Sequence, residues 1–316
     1  MADIYMHERL AEKVIKARGL QAFSKEIKLG SQGPDPLYYL VFSKDFKAAR
    51  EVGDRLHDTR VNVLFKQLIN YLKDHDSAAL YAYVQGFFLH FALDTAIHPY
   101  VYYHVGVYRE NDPKTDPMRG LHLKFERSID KVLILEDHGV SAHRYNWLSG
   151  VPKVAIKDQL IDLYDVLVKA TLGMDNGGVY FWRGVKGMRN VIRVFMNDRF
   201  GVKKKLYRWL DQRSHKQDLF YQDMSLYGPV LNYDFLNRGH KVWHHPVTNA
   251  PSTESVDALF QKAFDDAMIY LDFLERCIKT GQSCDVEALI KNRSFNSGID
   301  CEDLRPMQYF NLFTPL

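Results

Sequence analysis

Residues 83–103 contain three polar side chains in a largely apolar stretch: His90, Asp94 and His98. A stretch this apolar predicts a helix that is buried on every side. At about 100° per residue, the i, i+4, i+8 spacing places the three side chains on one helical face. A carboxylate buried without a partner is costly, so this row predicts metal ligands. The alternative is that each side chain is separately hydrogen-bonded in the core.

Two further candidate ligands lie upstream of this row. His7 sits at the start of a helix predicted over residues 8–23. Asp35 lies between two prolines in the turn 30–36, where Gly and Pro force an irregular backbone. A rigid acidic turn suits a metal ligand, but it is also an ordinary feature of protein surfaces. His7 alone is better explained as an exposed histidine near a chain end, whereas Asp35 alone fits either interpretation equally well.

Three more candidates lie on predicted helices. His57 falls within a helix predicted over residues 53–71. His122 and Glu126 are spaced i, i+4 on a helix predicted over residues 121–139, so they share one face. A surface His–Glu pair is common, but beside the three-ligand row these two side chains are natural additional ligands.

The candidate ligands combine imidazole nitrogens with carboxylate oxygens and include no thiolate. Such a set suits zinc, with iron, manganese or nickel as substitutes. Eight ligands exceed the needs of one tetrahedral ion and suit two or three. Closely spaced ions activate water and stabilise a phosphoryl group, which predicts phosphoester hydrolysis. The eight are His7, Asp35, His57, His90, Asp94, His98, His122 and Glu126.

The rest of the chain also reads as helical. Beyond residue 152 the apolar spacing is helical, with no strand alternation. Pro99 directly follows His98, which predicts a helix end or kink there. We therefore expect an all-α, multi-helix bundle around a multinuclear metal site. The expected organisation is a metal-binding region over 1–145 and a helical C-terminal region over 146–316, packed on the first.

Composition bears on location. The three cysteines, Cys277, Cys284 and Cys301, form no CxxC pair, and their odd number fits a reducing compartment. The first residues show no basic start followed by an apolar run, so no signal peptide is predicted. No stretch is a convincing membrane span. These features predict a cytoplasmic protein without stable membrane insertion.

The order His…Asp…His…HxxxD…His…HxxxE resembles the zinc-dependent phospholipase C family. That family includes bacterial phosphatidylcholine-hydrolysing enzymes and the N-terminal domain of glycosylphosphatidylinositol-specific phospholipase D. It shares its helical fold with fungal single-strand nucleases. The segments that carry the resemblance are YMH at 5–7, GPDP at 33–36, LH at 56–57, GFFLHFALDTAIHP at 86–99, and His122 with Glu126.

The resemblance implies a first zinc held by four residues and a nucleophile that needs no serine or cysteine. The four ligands would be Asp35, His57, His90 and Asp94. A metal-bound hydroxide would attack a phosphodiester or phospholipid. Asp35 stands where the family has a candidate general base that orients the attacking water.

The resemblance also implies ligands for further ions. His98, His122 and Glu126 would hold a second zinc, while Asp94 would bridge from the first zinc to a third that His7 also binds. Secreted members bind the third zinc through an N-terminal tryptophan, which this sequence lacks. A centre of two zinc ions is therefore an alternative to one of three.

Two other functions remain open from the sequence. The pair His57-Asp58 is typical of HD-type phosphohydrolases, but that assignment leaves Asp35 and the row at 90–98 unexplained. The other alternative is a non-catalytic helical module that is stabilised by metal and binds an anionic partner.

Two features of the second half have no role assigned by the resemblance. Residues 183–216 contain eleven Lys and Arg against two Asp, a local charge of +9 that leaves the rest of the chain at −6. This stretch could bind an anionic ligand, or it could be a solvated helical face. His240, His244 and His245 lie in a loop that either rims a pocket or simply packs.

Overall fold

The computed structural model describes residues 3–213, 224–279 and 285–314, so residues 214–216 of the basic stretch and Cys284 lie outside the described residues. In these ranges the chain is all-α, as the sequence predicts. The α-helices are α1 (Ile4–Arg18), α2 (Ser24–Gly30), α3 (Phe46–Asp58), α4 (Val61–Asp74), α5 (Ala78–Val105), α6 (Leu121–His138), α7 (Lys157–Leu172), α8 (Gly177–Asn190), α9 (Val202–Arg213), α10 (Val256–Lys279) and α11 (Val286–Ile290).

Short elements connect these helices. A two-residue antiparallel pair, β1 (Trp243–His244) with β2 (Pro251–Ser252), precedes α10. A π-helix (Val191–Met196) follows α8. The remaining connections include 3₁₀ helices at Gln21–Phe23, Asp35–Tyr39, Pro113–Met118, Ala142–Arg144 and Trp147–Ser149.

Helix α5 is the centre of the fold and is buried along most of its length. It does not end at Pro99 but continues to Val105, so of the two predicted alternatives the helix end is wrong, and the kink stays a prediction. A proline leaves the carbonyl four residues earlier without its helical donor. Here Gly298 lies against that Thr95 carbonyl, so close that a Cβ would come within 2.9 Å of the oxygen. The helix therefore continues past the proline with the Thr95 carbonyl covered by Gly298.

Although α5 is long and apolar, no helix in the described part of the chain could cross a membrane. Instead α5 is enclosed by other helices. Residues from the N-terminal helix to Phe313 share one hydrophobic core with it. Tyr270 of α10, for example, lies 5.8 Å from Phe91 between ring centroids. The division into regions 1–145 and 146–316 stays a prediction.

Glycines allow α2 to approach α5 closely. A Cβ at Gly30 would lie 2.0 Å from the Tyr83 carbonyl oxygen, and one at Gly86 would lie 2.2 Å from that of Ile27. Only residues without a side chain permit this backbone separation. The close crossing places Ser31, at the end of α2, beside His90 of α5.

Two helix boundaries differ from the sequence prediction. Helix α1 covers Ile4–Arg18 rather than residues 8–23, because Asp130 of α6 accepts hydrogen bonds from the first backbone N–H groups of α1. The helix predicted over 53–71 is two helices, separated at Arg60, whose φ is +51°. There the His57 carbonyl accepts a hydrogen bond from the Phe295 N–H, a tertiary contact that local patterns do not reveal.

Candidate metal centre

The structure brings all eight predicted ligands together from five elements around α5. His7 comes from α1, Asp35 from the 3₁₀ helix that follows α2, His57 from α3, His90, Asp94 and His98 from α5, and His122 and Glu126 from α6. All are buried except His122, whose side chain is 28% exposed. Their ligand atoms form three groups, each compact enough to surround a single ion.

The first group contains Asp35, His57 and His90. Oδ1 of Asp35 lies 3.3 Å from Nε2 of His57 and 3.8 Å from Nε2 of His90. The 3₁₀ helix holds Asp35 between α3 and α5, so the turn carries a buried carboxylate and not an exposed surface side chain.

The second group joins His7 and His90 to Asp94. Oδ1 of Asp94 lies 3.4 Å from Nε2 of His7, and Oδ2 lies 3.1 Å from Nε2 of His90. The same carboxylate is 3.8 Å from His57 and 3.7 Å from His98. Asp94 therefore stands among four imidazoles and links the groups.

The third group contains His98, His122 and Glu126. Oε1 of Glu126 lies 3.4 Å from Nε2 of His98 and 2.9 Å from Nε2 of His122. The i, i+4 pair on α6 thus faces the last histidine of the α5 row. This group is the one that reaches solvent, through His122.

Many buried polar atoms of the centre have no hydrogen-bond partner among the described residues. They include both carboxylate oxygens of Asp94, Oδ1 of Asp35, and Nε2 of His57, His90 and His98, as well as both ring nitrogens of His7. Buried polar atoms are almost always paired, and leaving a carboxylate unpaired is costly. A set of converging nitrogen and oxygen lone pairs without donors fits divalent cations.

Backbone carbonyls set the orientation of the histidine ligands. Nδ1 of His57 lies 2.7 Å from the Gly53 carbonyl oxygen, and Nδ1 of His90 lies 3.1 Å from that of Ser31. A carbonyl can only accept, so Nδ1 carries the proton and donates. The Nε2 lone pair then faces the centre, which is the arrangement that metal-binding histidines use.

A loop far along the chain does the same for His98. Its Nδ1 donates to the Phe295 carbonyl oxygen at 2.9 Å, while the Phe295 N–H donates to the His57 carbonyl oxygen at 2.9 Å. The Phe295 ring is fully buried, with its centroid 5.2 Å from that of His57. Sequence analysis missed this residue, because a backbone carbonyl carries no residue-type signal.

Asp58 holds this loop rather than joining the centre. Its carboxylate accepts hydrogen bonds from Ser294 Oγ and, at 2.6 Å, from Asn296 Nδ2. It belongs to none of the three groups found among the described residues. This position weighs against an HD-type site, in which the aspartate beside His57 would be a ligand.

A left-handed turn brings Gly33 against His90. With φ at +49°, a Cβ at Gly33 would lie 2.3 Å from the His90 ring. The Gly33 carbonyl accepts a hydrogen bond from Tyr164 Oη at 2.9 Å, and Tyr164 stacks on Phe181 at 3.6 Å. Helices α7 and α8 therefore support the turn that carries Asp35.

Burial and neighbouring charges perturb the pKa of several candidate ligands. Burial lowers the pKa of His7 well below the usual value, and it lowers that of His98 to about 3. Burial opposes ionisation of Asp94, but His90 and His98 hold the pKa of its carboxyl well below the usual range. The neutral form that a ligand needs is thus favoured for His7 and His98, whereas at His57 burial opposes protonation but neighbouring Asp35 raises the pKa.

Glu126 differs from Asp94, because burial raises the pKa of its carboxyl well above the usual range. In the absence of a neighbouring cation, burial therefore favours the protonated form of this carboxyl. Binding of a divalent ion beside it would favour the ionised form and release that proton.

The three histidines of the 240–245 segment do not reach the centre. His240 and His244 direct Nδ1 at the carbonyls of Thr253 and Asn249, at 3.0 and 3.1 Å. His245 directs Nε2 at the Ser297 carbonyl oxygen at 3.0 Å. These contacts stabilise a packed loop beside the one that carries Phe295.

The described part of the chain is an all-helical bundle that encloses three adjoining His/carboxylate groups, each of which could hold a metal ion. Residues 6–171, more than half of the chain, match the family model of zinc-dependent phospholipase C. The chain belongs to that family, as the sequence resemblance predicts. No curated protein matches the chain, and neither does any solved structure. The matched region extends past residue 145 into α7.

Proposed function

We propose that this protein is a zinc-dependent phosphoesterase that hydrolyses a phosphodiester in the manner of a phospholipase C. The observation that carries the proposal is Asp94, whose two oxygens are buried among four imidazoles without any hydrogen-bond donor among the described residues. Such a carboxylate is suited to bridging neighbouring cations. Family membership makes zinc the expected metal, with nickel, iron or manganese as substitutes.

The proposed ligands divide among two or three ions. The first would be held by Asp35, His57, His90 and Asp94, and the second by His98, His122 and Glu126. His7, 3.4 Å from Asp94, is the ligand available for a third. When bound, closely spaced zinc ions lower the pKa of water and neutralise charge on a phosphoryl group.

Asp35 has the position of a proton acceptor as well as that of a ligand. Oδ1 points at His57, whereas Oδ2 is 4.0 Å from Nε2 of His7. If Oδ1 contacts the cation, Oδ2 remains to orient the attacking water and take its proton. We therefore assign Asp35 as the general base.

Substrate reaches the centre from the side of His122. This is the one ligand that is partly exposed, and Tyr102 lies beside it, half-buried, with ring centroids 4.9 Å apart. A purely structural zinc site is closed by its protein ligands, whereas a catalytic one keeps an open position. The partly exposed side of His122 would give a substrate access to such an open position. Phospholipid is the substrate class that family membership suggests, and a soluble phosphodiester is the alternative.

The test combines metal analysis with activity measurements. Zinc-loaded protein is assayed with a phosphatidylcholine analogue, bis-p-nitrophenyl phosphate and single-stranded nucleic acid. Asp94→Ala and His90→Ala should lose both bound zinc and turnover, while His75→Ala, outside the centre, should retain both. Bound zinc without turnover of any substrate would indicate a structural module instead.

Measurement of bound zinc also distinguishes the proposed centre from an HD-type site. We expect His98→Ala to lose zinc and Asp58→Ala to retain most of it, because Asp58 contacts the loop and not the centre. The reverse result would assign the metal to an HD-type site. The cytoplasmic location stays a prediction.

A further inference from the structure

Helix α9 carries an apolar stripe on the face that is turned away from the protein. Val202, Leu206 and Trp209 are spaced i, i+4, i+7, so they share one side of the helix. Their exposed fractions are 67%, 51% and 45%. Tyr207, at 7% exposure, marks the opposite, inward side. Surface helices normally direct their apolar stripe at the core, so α9 is inverted in this respect.

A further exposed apolar side chain, Phe200, lies two residues before the helix. Phe200 is 77% exposed, and the chain turns after it at Gly201, whose φ is +72°. Two exposed aromatic rings lie beside guanidinium groups: Arg199 is 5.8 Å from the Phe200 centroid, and Arg213 is 4.2 Å from that of Trp209. We call Phe200, Val202, Leu206 and Trp209 the α9 outer face.

Cations flank the α9 outer face. Lys205 and Arg208 are exposed, and neither has a carboxylate within ion-pair distance among the described residues. Residues 183–216, which include α9, carry a net charge of +9. Lys203, by contrast, is directed inward, where it donates to two backbone carbonyls at 2.6 Å. The outer cations are therefore free to meet an external anion.

This arrangement combines aromatic and aliphatic side chains with flanking Lys and Arg. Such helices lie in the plane of a membrane interface, with their apolar side chains among the acyl chains and their cations at anionic headgroups. We infer that the α9 outer face docks this protein on an anionic phospholipid surface. The inference rests on α9 alone, so it stands whether or not the metal centre hydrolyses lipid.

Vesicle sedimentation tests the inference. Wild-type protein should bind vesicles of phosphatidylcholine mixed with phosphatidylglycerol more tightly than vesicles of phosphatidylcholine alone, and added salt should weaken that binding. Phe200→Ser/Leu206→Ser/Trp209→Ser should reduce affinity at least about tenfold. Lys205→Ala and Arg208→Ala should each reduce it about fivefold.

Trp209 provides a direct signal of insertion. Its fluorescence should shift to the blue when mixed vesicles are added, and Trp209→Phe should remove the shift. The matched control is Ile269→Ser, which removes an apolar side chain of similar exposure, 52%, from α10. It should bind vesicles like the wild type.

Several outcomes would overturn the inference. They are absence of wild-type binding to mixed vesicles, unchanged binding by the triple variant, or a wild-type dimer that the triple variant abolishes without any vesicle binding. Zinc content and turnover of a soluble phosphodiester are measured in parallel. If these fail while vesicle binding holds, the proposed chemistry is wrong and the docking surface remains.

Discussion

Replacing Gly33 by alanine should damage the metal centre through the His90 ring. The added Cβ would lie 2.3 Å from that ring, against a normal carbon–carbon contact of about 3.5 Å, so the imidazole must move by about 1 Å. A left-handed alanine costs a further ~1–2 kcal/mol. Displacement of an oriented ligand typically lowers metal affinity by about 10–100-fold. At about 1.4 kcal/mol for each tenfold change, the loss is about 1.4–2.8 kcal/mol of binding free energy.

Gly173→Ala is the matched control for this prediction. Gly173 also has a positive φ, +69°, but a Cβ there would meet nothing within 4 Å. Both variants should lose backbone stability in urea unfolding of the zinc-free protein, and only Gly33→Ala should bind zinc more weakly in competition with a chromophoric chelator. Equal zinc affinities for the two variants would refute the role assigned to the turn.

Three further outcomes are expected. Zinc added to chelator-treated protein should raise the free energy of unfolding by about 2.7 kcal/mol per site at a free zinc concentration of about 100 Kd, and scanning calorimetry should show a higher melting temperature. An unchanged melting temperature would contradict zinc binding to the folded protein. Burial lowers the pKa of His104 to about 4, below the unfolded value near 6.5. The folded state therefore resists protonation of His104, and its contribution to the free energy of unfolding should be fully present above pH ~6.5 and should be lost as the pH falls towards ~4. The two pKa values set an upper limit of about 3 kcal/mol for this loss, and partial exposure of the ring makes it smaller. Urea unfolding of His104→Gln should show a shallower pH dependence, and an equal slope would exclude His104 as its source. Asp130→Ala should lower the free energy of unfolding by about 1–2 kcal/mol, because it removes the acceptor for the first N–H groups of α1. Urea unfolding followed by circular dichroism measures this loss. Asp130→Ala should weaken metal binding more at the group that contains His7 than at the group of His98, His122 and Glu126. Equal weakening at both groups would argue against separate metal sites.

The sequence was sufficient to predict the parts of this fold that local spacing controls. His90, Asp94 and His98 share a helix, so their common face follows from periodicity alone. The helix end that Pro99 favours locally does not occur, because α5 is buried along most of its length and continues past the proline. The break between α3 and α4 at Arg60 was also missed, because no Gly or Pro occurs there to indicate a helix end.

The supporting contacts of the centre were beyond sequence reasoning. The carbonyls that orient His57, His90 and His98 belong to the backbone, so any residue type could supply them. Only the folded chain shows that Phe295 is one of these residues. By contrast, the basic charge of residues 183–216 is evident in the sequence. That the apolar side chains of α9 face outward could be seen only in the structure.

The hydrogen bond between His98 and Phe295 joins residues 197 positions apart. During synthesis the histidine row therefore leaves the ribosome long before the loop that orients its last member. Contacts of such sequence separation form late and slow the folding of the chain. A nascent chain that has folded only through residue 171 would carry all eight ligands but lack the carbonyl that orients His98. We therefore expect full metal affinity to appear only after the loop has docked, which makes assembly of the centre a final step in maturation.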